Sequence, residues 1–246
     1  MRIIHKALVG ALVALAAAPL ALVPARETVL VAAEAILAGR KLTTSGSVAC
    51  TETGYERQAW KLSAAYTWYY NGGAAPGSVK STALAAITAA TGNAASGANR
   101  CGKTGTAAAQ QSYAGETTKL SAQVDSYGRC RGNDGKSVTS WGAMPGSILA
   151  MTCTYYRSTG VVIASDTLIN TANTWFTTIP ANCANAFDLQ STITHERLHT
   201  LGLAHVSQSA NPTATMSPNN APCNTEKRLL ALSDWTGLTQ LYGVKK

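Results

Sequence analysis

The residues able to do chemistry in this 246-residue chain are few and clustered. Of its four histidines, three fall in His195-Glu196-Arg197-Leu198-His199-Thr200-Leu201-Gly202-Leu203-Ala204-His205, which reads H-E-x-x-H-x-x-G-x-x-H. Side chains four apart lie on one face of a helix, so His195 and His199 present two imidazole nitrogens to one ion. Glu196, one residue round, points beside that ion, where a general base for a bound water must sit. Gly202 ends the helix in a left-handed conformation, letting His205 swing back as a third ligand. Three neutral imidazoles leave a fourth tetrahedral position open, as at a catalytic rather than a structural zinc. Chance produces this pattern with odds on the order of one in 10⁵ to 10⁶. The fourth histidine, His5, lies in a segment expected to be removed, so every histidine of the mature chain belongs to the motif.

The elements that must position these groups follow from periodicity and punctuation. Asp188 is an N-cap type, and a helix runs from it to Gly202. Upstream, 60–70 alternates as a strand, Asn71-Gly72-Gly73 is a turn, and Pro76 to Ala95 has helical spacing. After a polar loop, strands are expected at 120–127, 138–141, 148–156 and 161–170, the last running on through 171–176. A closing helix spans 226–242. Strands with one early and two late helices predict an α+β domain over 60–246. Residues 26–59, mildly helical in pattern at 28–37, are expected to be a pro-segment or N-terminal extension.

The chain opens with Arg2 and Lys6 followed by an uncharged apolar run from Ala7 to Val23. The run is broken by Pro19 and is short of the roughly 20 residues of a membrane span, so 1–25 is expected to be a signal peptide cut after Ala25. Export pairs thiols. Cys50, Cys101, Cys130, Cys153, Cys183 and Cys223 then make three disulfides, in a connectivity that spacing alone leaves open. Removing 1–25 leaves 18 cations and 12 anions, a net +6. Those cations are scattered, with no basic run or aromatic ladder, which argues against nucleic acid as a partner. No stable membrane association is expected after signal cleavage, and a monomer is expected.

The long motif is the metzincin signature, and the chain resembles the matrixin metallopeptidases within that group. Thr213-Ala-Thr-Met216-Ser-Pro218 resembles the family's Met-turn, with Met216 as an apolar floor under the metal. Leu232 to Gly243 resembles its C-terminal helix. Gly146 to Ala150 resembles the edge strand above the cleft, and Asp166 to Asn170 the strand after it. The resemblance implies a twisted, mostly parallel small sheet with an antiparallel edge strand. It also implies that Leu149 and Ala150 hold an extended peptide by β-augmentation. Gly202, Met216 and Pro218 take structural roles.

Departures from the family pattern carry expectations too. Leu198 stands where matrixins usually carry glycine, and Ser217 replaces a tyrosine. Met151 and Leu168 stand where animal matrixins place histidines of a second, structural zinc, which is therefore expected to be missing, with disulfides taking over its stabilising role. Asn170 stands where a calcium-binding aspartate often lies, so calcium is admitted without support. Asn99-Arg100-Cys101-Gly102 is superficially like an inhibitory cysteine switch, but its position inside the domain favours a disulfide.

These readings converge on a secreted, extracellular zinc endopeptidase with one catalytic zinc on His195, His199 and His205, Glu196 as general base, and a peptide or protein substrate. The alternative is a secreted, disulfide-stapled module that contains zinc and binds without catalysis. Intact Glu196 speaks against it, since a structural site has no use for a carboxylate there.

Overall fold

The computed structural model describes residues 28–39, 50–107 and 109–245. The expected signal peptide and His5 lie outside the described residues. In chain order the elements are β1 (Val29–Ala38), β2 (Glu56–Arg57), β3 (Tyr66–Asn71), helix α1 (Ala83–Ser96), β4 (Thr106–Ala107), β5 (Gln111–Glu116), β6 (Val138–Gly142), β7 (Ile148–Arg157) and β8 (Val162–Asn170). There follow β9 (Thr174–Phe176), β10 (Ala186–Asp188), helix α2 (Leu189–Thr200), β11 (Leu203–Ala204), β12 (Asn219–Asn220), helix α3 (Leu232–Tyr242) and β13 (Val244–Lys245).

Burial explains which strands lie central. In β3 the aromatic residues Tyr66, Trp68 and Tyr70 point inward and Thr67 outward. In β7 and β8 almost every residue is buried, because helices cover one face and a loop cluster the other. The main sheet has the order β12-β1-β7-β8-β6-β3-β5. Strands β5, β3, β6 and β8 run parallel, and β7 is antiparallel to β8. The expected α+β architecture, a mostly parallel sheet with an early helix, a central helix and a closing helix, is the one found.

Two apolar clusters seat α2. One joins Ile193 and Leu189 to α1 (Ala83, Ile87, Ala90) and to the sheet residues Trp68, Leu149 and Ile169. The other packs Leu198 against Leu201, Leu203, Met216, Leu230 and Leu238. Leu198, where glycine is usual, crowds nothing: it is fully buried and fills this second cluster.

Several elements differ from expectation. Residues 120–127 are not a strand: Asp125 accepts the Tyr127 and Arg129 N–H groups, Gly128 turns at φ 76°, and only a single bridge, Val124 to Cys130, remains. Residues 111–116, expected to be loop, form the exposed edge strand β5. Helix α1 starts at Ala83, after turns over 76–82 in which Val79 and Thr82 donate N–H bonds to Pro76 and Val79. Residues 226–228 are a 3₁₀ turn, and α3 begins only at Leu232. The largest difference is at 28–37, which is a strand rather than helical: β1 pairs antiparallel with β7, from Val29 opposite Arg157 to Leu37 opposite Ile148. Strand β7 is therefore covered rather than an open edge.

Candidate metal centre

Helix α2 is capped by Asp188, whose carboxylate accepts the Ser191 N–H at 2.9 Å and is clamped by Arg228 at 2.7–2.8 Å. Almost all of its residues are buried. His195 and His199, one turn apart, bring their Nε2 atoms to 3.0 Å, and the Nε2 of His205 lies 3.0 and 3.1 Å from them. Gly202 makes this convergence: its φ is 97°, and a Cβ there would run into the Trp60 carbonyl oxygen. The chain then returns through β11, paired with β2.

The outward-facing nitrogens are tied off. His195 Nδ1 lies 2.6 Å from the Thr215 carbonyl and His199 Nδ1 lies 2.9 Å from the Leu203 carbonyl. A carbonyl only accepts, so each Nδ1 carries the proton and each Nε2 keeps its lone pair for a cation. Burial holds His195 and His199 well below the ordinary histidine range, helped by the neighbouring imidazoles, and lowers His205 to about 4. All three imidazoles are thus neutral. A tetrahedral zinc with Zn–N bonds of about 2.0–2.1 Å spaces its nitrogens about 3.3 Å apart, close to the spacing here. Among the described residues, these three histidines form a group of ligand atoms that could hold a metal ion.

Glu196 is fully buried beside them. Its Oε1 accepts the Ile36 N–H at 3.1 Å, whereas Oε2 has no partner of normal hydrogen-bond geometry. The neighbouring Thr152 hydroxyl stabilises the charge but is engaged with Thr167 at 3.1 Å. Burial outweighs these helps and pushes the carboxyl up to about 8.

The matrixin family model matches residues 135–243. The chain is matrixin-like. The match covers a little under half of the chain and contains the histidine cluster, Met216 and α3. No curated protein matches the chain. A matrixin match points to zinc metallopeptidase chemistry and hence to peptide or protein substrates.

Against the matrixin pattern, Met216 is buried among Leu198, Leu203 and Val206, and its carbonyl accepts the Val206 N–H at 3.1 Å. Leu149 and Ala150 lie in β7, Ala150 opposite Ile36. The Pro218 carbonyl accepts the Leu37 N–H at 2.8 Å. Met151 and Leu168 face each other across β7 and β8 in an apolar cluster with Met144, Tyr155 and Cys153, and the Cys130–Cys153 disulfide ties the overlying loop there. Asn170 is spent inside the fold: its oxygen accepts the Met144 and Ala172 N–H groups and its amide donates to the Met144, Pro145 and Ile148 carbonyls. Cys101 pairs with Cys50, and Cys183 with Cys223, so the described residues contain no free thiol for a cysteine switch.

Sequence reasoning assigned no role to three buried groups that hold the site. Asp234, at the start of α3, accepts the Thr215, Met216 and Ala231 N–H groups at 2.7, 3.0 and 2.9 Å, fixing the turn whose Thr215 carbonyl orients His195. Lys227 donates to the Ser217 and Asn219 carbonyls at 2.7 Å each, pinning the segment around Pro218, while burial lowers its ammonium to about 7. Arg197 donates to Thr91, Thr167 and Thr139 and stacks over Tyr66, anchoring α2 to α1 and the sheet. Asp234 fell inside the helix expected over 226–242, and none of the three carries a local pattern.

Proposed function

We propose that the protein is an exported zinc endopeptidase whose His195, His199 and His205 hold the ion and whose Glu196 is the general base. The observation that carries this reading is the convergence of three neutral Nε2 atoms beside a buried carboxylate that touches a peptide N–H in the cleft. Zinc bound there supplies a Lewis acid for the scissile carbonyl and lowers the pKa of the attacking water. Glu196 takes the water's proton and passes it to the departing amine. Its raised carboxyl suits the second half of that shuttle, and a cation on the three imidazoles lowers it toward the base form needed for the first. Strand β7, with Leu149 and Ala150, and the segment through Pro218 bind the peptide between them. Gly202 and Met216 shape the site without taking part in the reaction.

Export is supported by three disulfides, and no helix among the described residues is long and apolar enough to cross a membrane. The exported form is proposed to be a monomer with residues 1–25 removed.

The test pairs metal analysis with cleavage of a peptide library, with and without chelator. Stoichiometric zinc and chelator-sensitive cleavage are expected. Glu196→Ala should keep zinc and fold while losing roughly 10²–10⁴-fold or more in rate. Full activity in that variant sinks the mechanism, and stoichiometric zinc without any cleavage favours the binding module.

A further inference from the structure

Strand β1 lies where a peptide substrate would have to lie. It runs antiparallel to β7, with Ala35 opposite Met151 and Ile36 opposite Ala150, and parallel to β12, with Leu37 opposite Asn219 and Ala38 opposite Asn220. Beyond Ile36 its N–H groups alternate between the two walls: Leu37 donates to Pro218 at 2.8 Å, Ala38 to Ser147 at 2.9 Å and Gly39 to Asn220 at 2.8 Å. The Ile36 side chain is fully buried in a pocket with Leu149, Ile193 and Phe187. On the other side, Glu34 accepts from Gln58 at 2.7 Å, with its second oxygen 3.8 Å from His205 Nδ1. The Ile36 amide nitrogen sits 3.1 Å from Glu196 Oε1.

That nitrogen is the one that leaves as an amine if the Ala35–Ile36 bond is hydrolysed, and the carboxylate touching it is the group proposed to protonate it. We propose that β1 is a tethered substrate strand, seated in cleavable register, which keeps the cleft closed to other peptides until the enzyme cuts its own Ala35–Ile36 bond. The inference rests on the endopeptidase reading. In the step, water oxygen bonds to the Ala35 carbonyl carbon, the bond from that carbon to Ile36 nitrogen breaks, and Glu196 carries the water's two protons to the nitrogen one after the other. The products are an Ala35 carboxylate and an Ile36 ammonium, with no reactant besides water.

Because β1 belongs to the same chain, it competes with external peptides intramolecularly, at an effective concentration of roughly millimolar. Cutting divides the strand into two pieces, 29–35 on one side and 36–39 on the other, each holding part of the hydrogen bonds, so both leave more readily. The same seating describes the external substrate: an extended peptide with a small residue before the cut and a branched aliphatic residue after it.

The test follows zinc-loaded, signal-free full chain over time by intact mass and N-terminal sequencing, alongside cleavage of a quenched peptide carrying Ala-Ile. The expected result is a new N-terminus at Ile36 in the wild type and none in Glu196→Ala. Peptide cleavage should show a lag that ends with the cut, at an initial rate tenfold or more higher. Ile36→Asp, which expels the buried side chain, and Leu37→Pro, which removes the N–H given to Pro218, should both abolish the lag. A separate binding readout uses a fluorescent peptide of residues 28–39, which should bind Glu196→Ala/Leu37→Pro and not Glu196→Ala alone. Cleavage of the quenched peptide at full rate from the outset with β1 intact overturns the proposal and leaves the endopeptidase reading standing. The labelled peptide binding both variants equally overturns it as well. If nothing is cut yet the labelled peptide discriminates the variants, it is the endopeptidase reading that fails, and the cleavage half of the proposal with it.

Discussion

Replacing Asp234 by Asn tests whether the floor of the site is built from α3. The carboxylate is buried and accepts three N–H groups, two at Oδ2 (Thr215, Ala231) and one at Oδ1 (Met216). In the best orientation an asparagine keeps its oxygen where Oδ2 was, and its amide then faces the Met216 N–H, donor against donor. Two charge-assisted hydrogen bonds become neutral ones, at about 1 kcal/mol each, and one buried N–H is left unpaired, at about 1–3 kcal/mol. The fold should therefore lose about 3–5 kcal/mol. Because Thr215 presents the carbonyl that fixes His195, zinc affinity should also fall roughly 10–100-fold, the usual effect of losing a partner behind a metal ligand. Denaturant unfolding of zinc-free protein measures the first effect, and competition with a chromophoric chelator measures the second. A variant that loses the stability but binds zinc as tightly as wild type refutes the coupling of Asp234 to His195 through Thr215.

Three further perturbations probe other supports. Gly202→Ala combines a φ of 97° with a Cβ directed into the Trp60 carbonyl, so unfolding experiments should show a loss of more than about 2 kcal/mol, with His205 displaced and zinc affinity reduced. Cys130→Ser/Cys153→Ser opens a crosslink across 23 residues, which chain entropy values at about 3 kcal/mol; melting should fall while peptide cleavage below the new transition is kept. Asp166, which accepts the Val138 and Gln123 N–H groups, has its carboxyl raised to about 7 by burial, above its unfolded value of about 3.9. Its contribution to stability is therefore full below about pH 4 and lost as pH rises through 7, so Asp166→Asn should flatten the wild-type decline in stability over that window, measured by denaturant midpoints.

The histidine cluster was legible because its information is local. Ligand spacing on a helix, a glycine at the turn and an N-cap aspartate are all written within seventeen or so residues, and each does what its chemistry requires. Strands β6, β7 and β8 were legible for a related reason, since runs rich in β-branched and aromatic residues between Gly, Asn and Pro punctuation favour strands. Strand β5 was missed because an edge strand needs only one partner and keeps its polar residues outside, leaving no apolar pattern. Asp234, Lys227 and Arg197 were missed because their partners are backbone carbonyls, N–H groups and hydroxyls on turns and elements that only the fold brings beside them.

Strand β1 failed to show for a reason tied to its position. Its sequence, Val-Leu-Val-Ala-Ala-Glu-Ala-Ile-Leu-Ala, has weak alternation because one end lies open and the other is enclosed. Val29, Leu30 and Val31 are exposed, whereas Ile36, within the same strand, is fully buried. A core strand repeats one environment along its length. A peptide lying in a cleft instead meets a ladder, a carboxylate and a pocket in succession, so its residues follow the order of those contacts and not a period of two. Alanine at 32, 33 and 35 with glutamate at 34 gives a helical bias that the ladder overrides, since β7 is buried on both faces and its hydrogen-bonding edge can be satisfied only by an extended partner. The covered edge and the irregular pattern of β1 are therefore one observation: the edge of β7 is paired by a strand whose surroundings change from open to enclosed along its length.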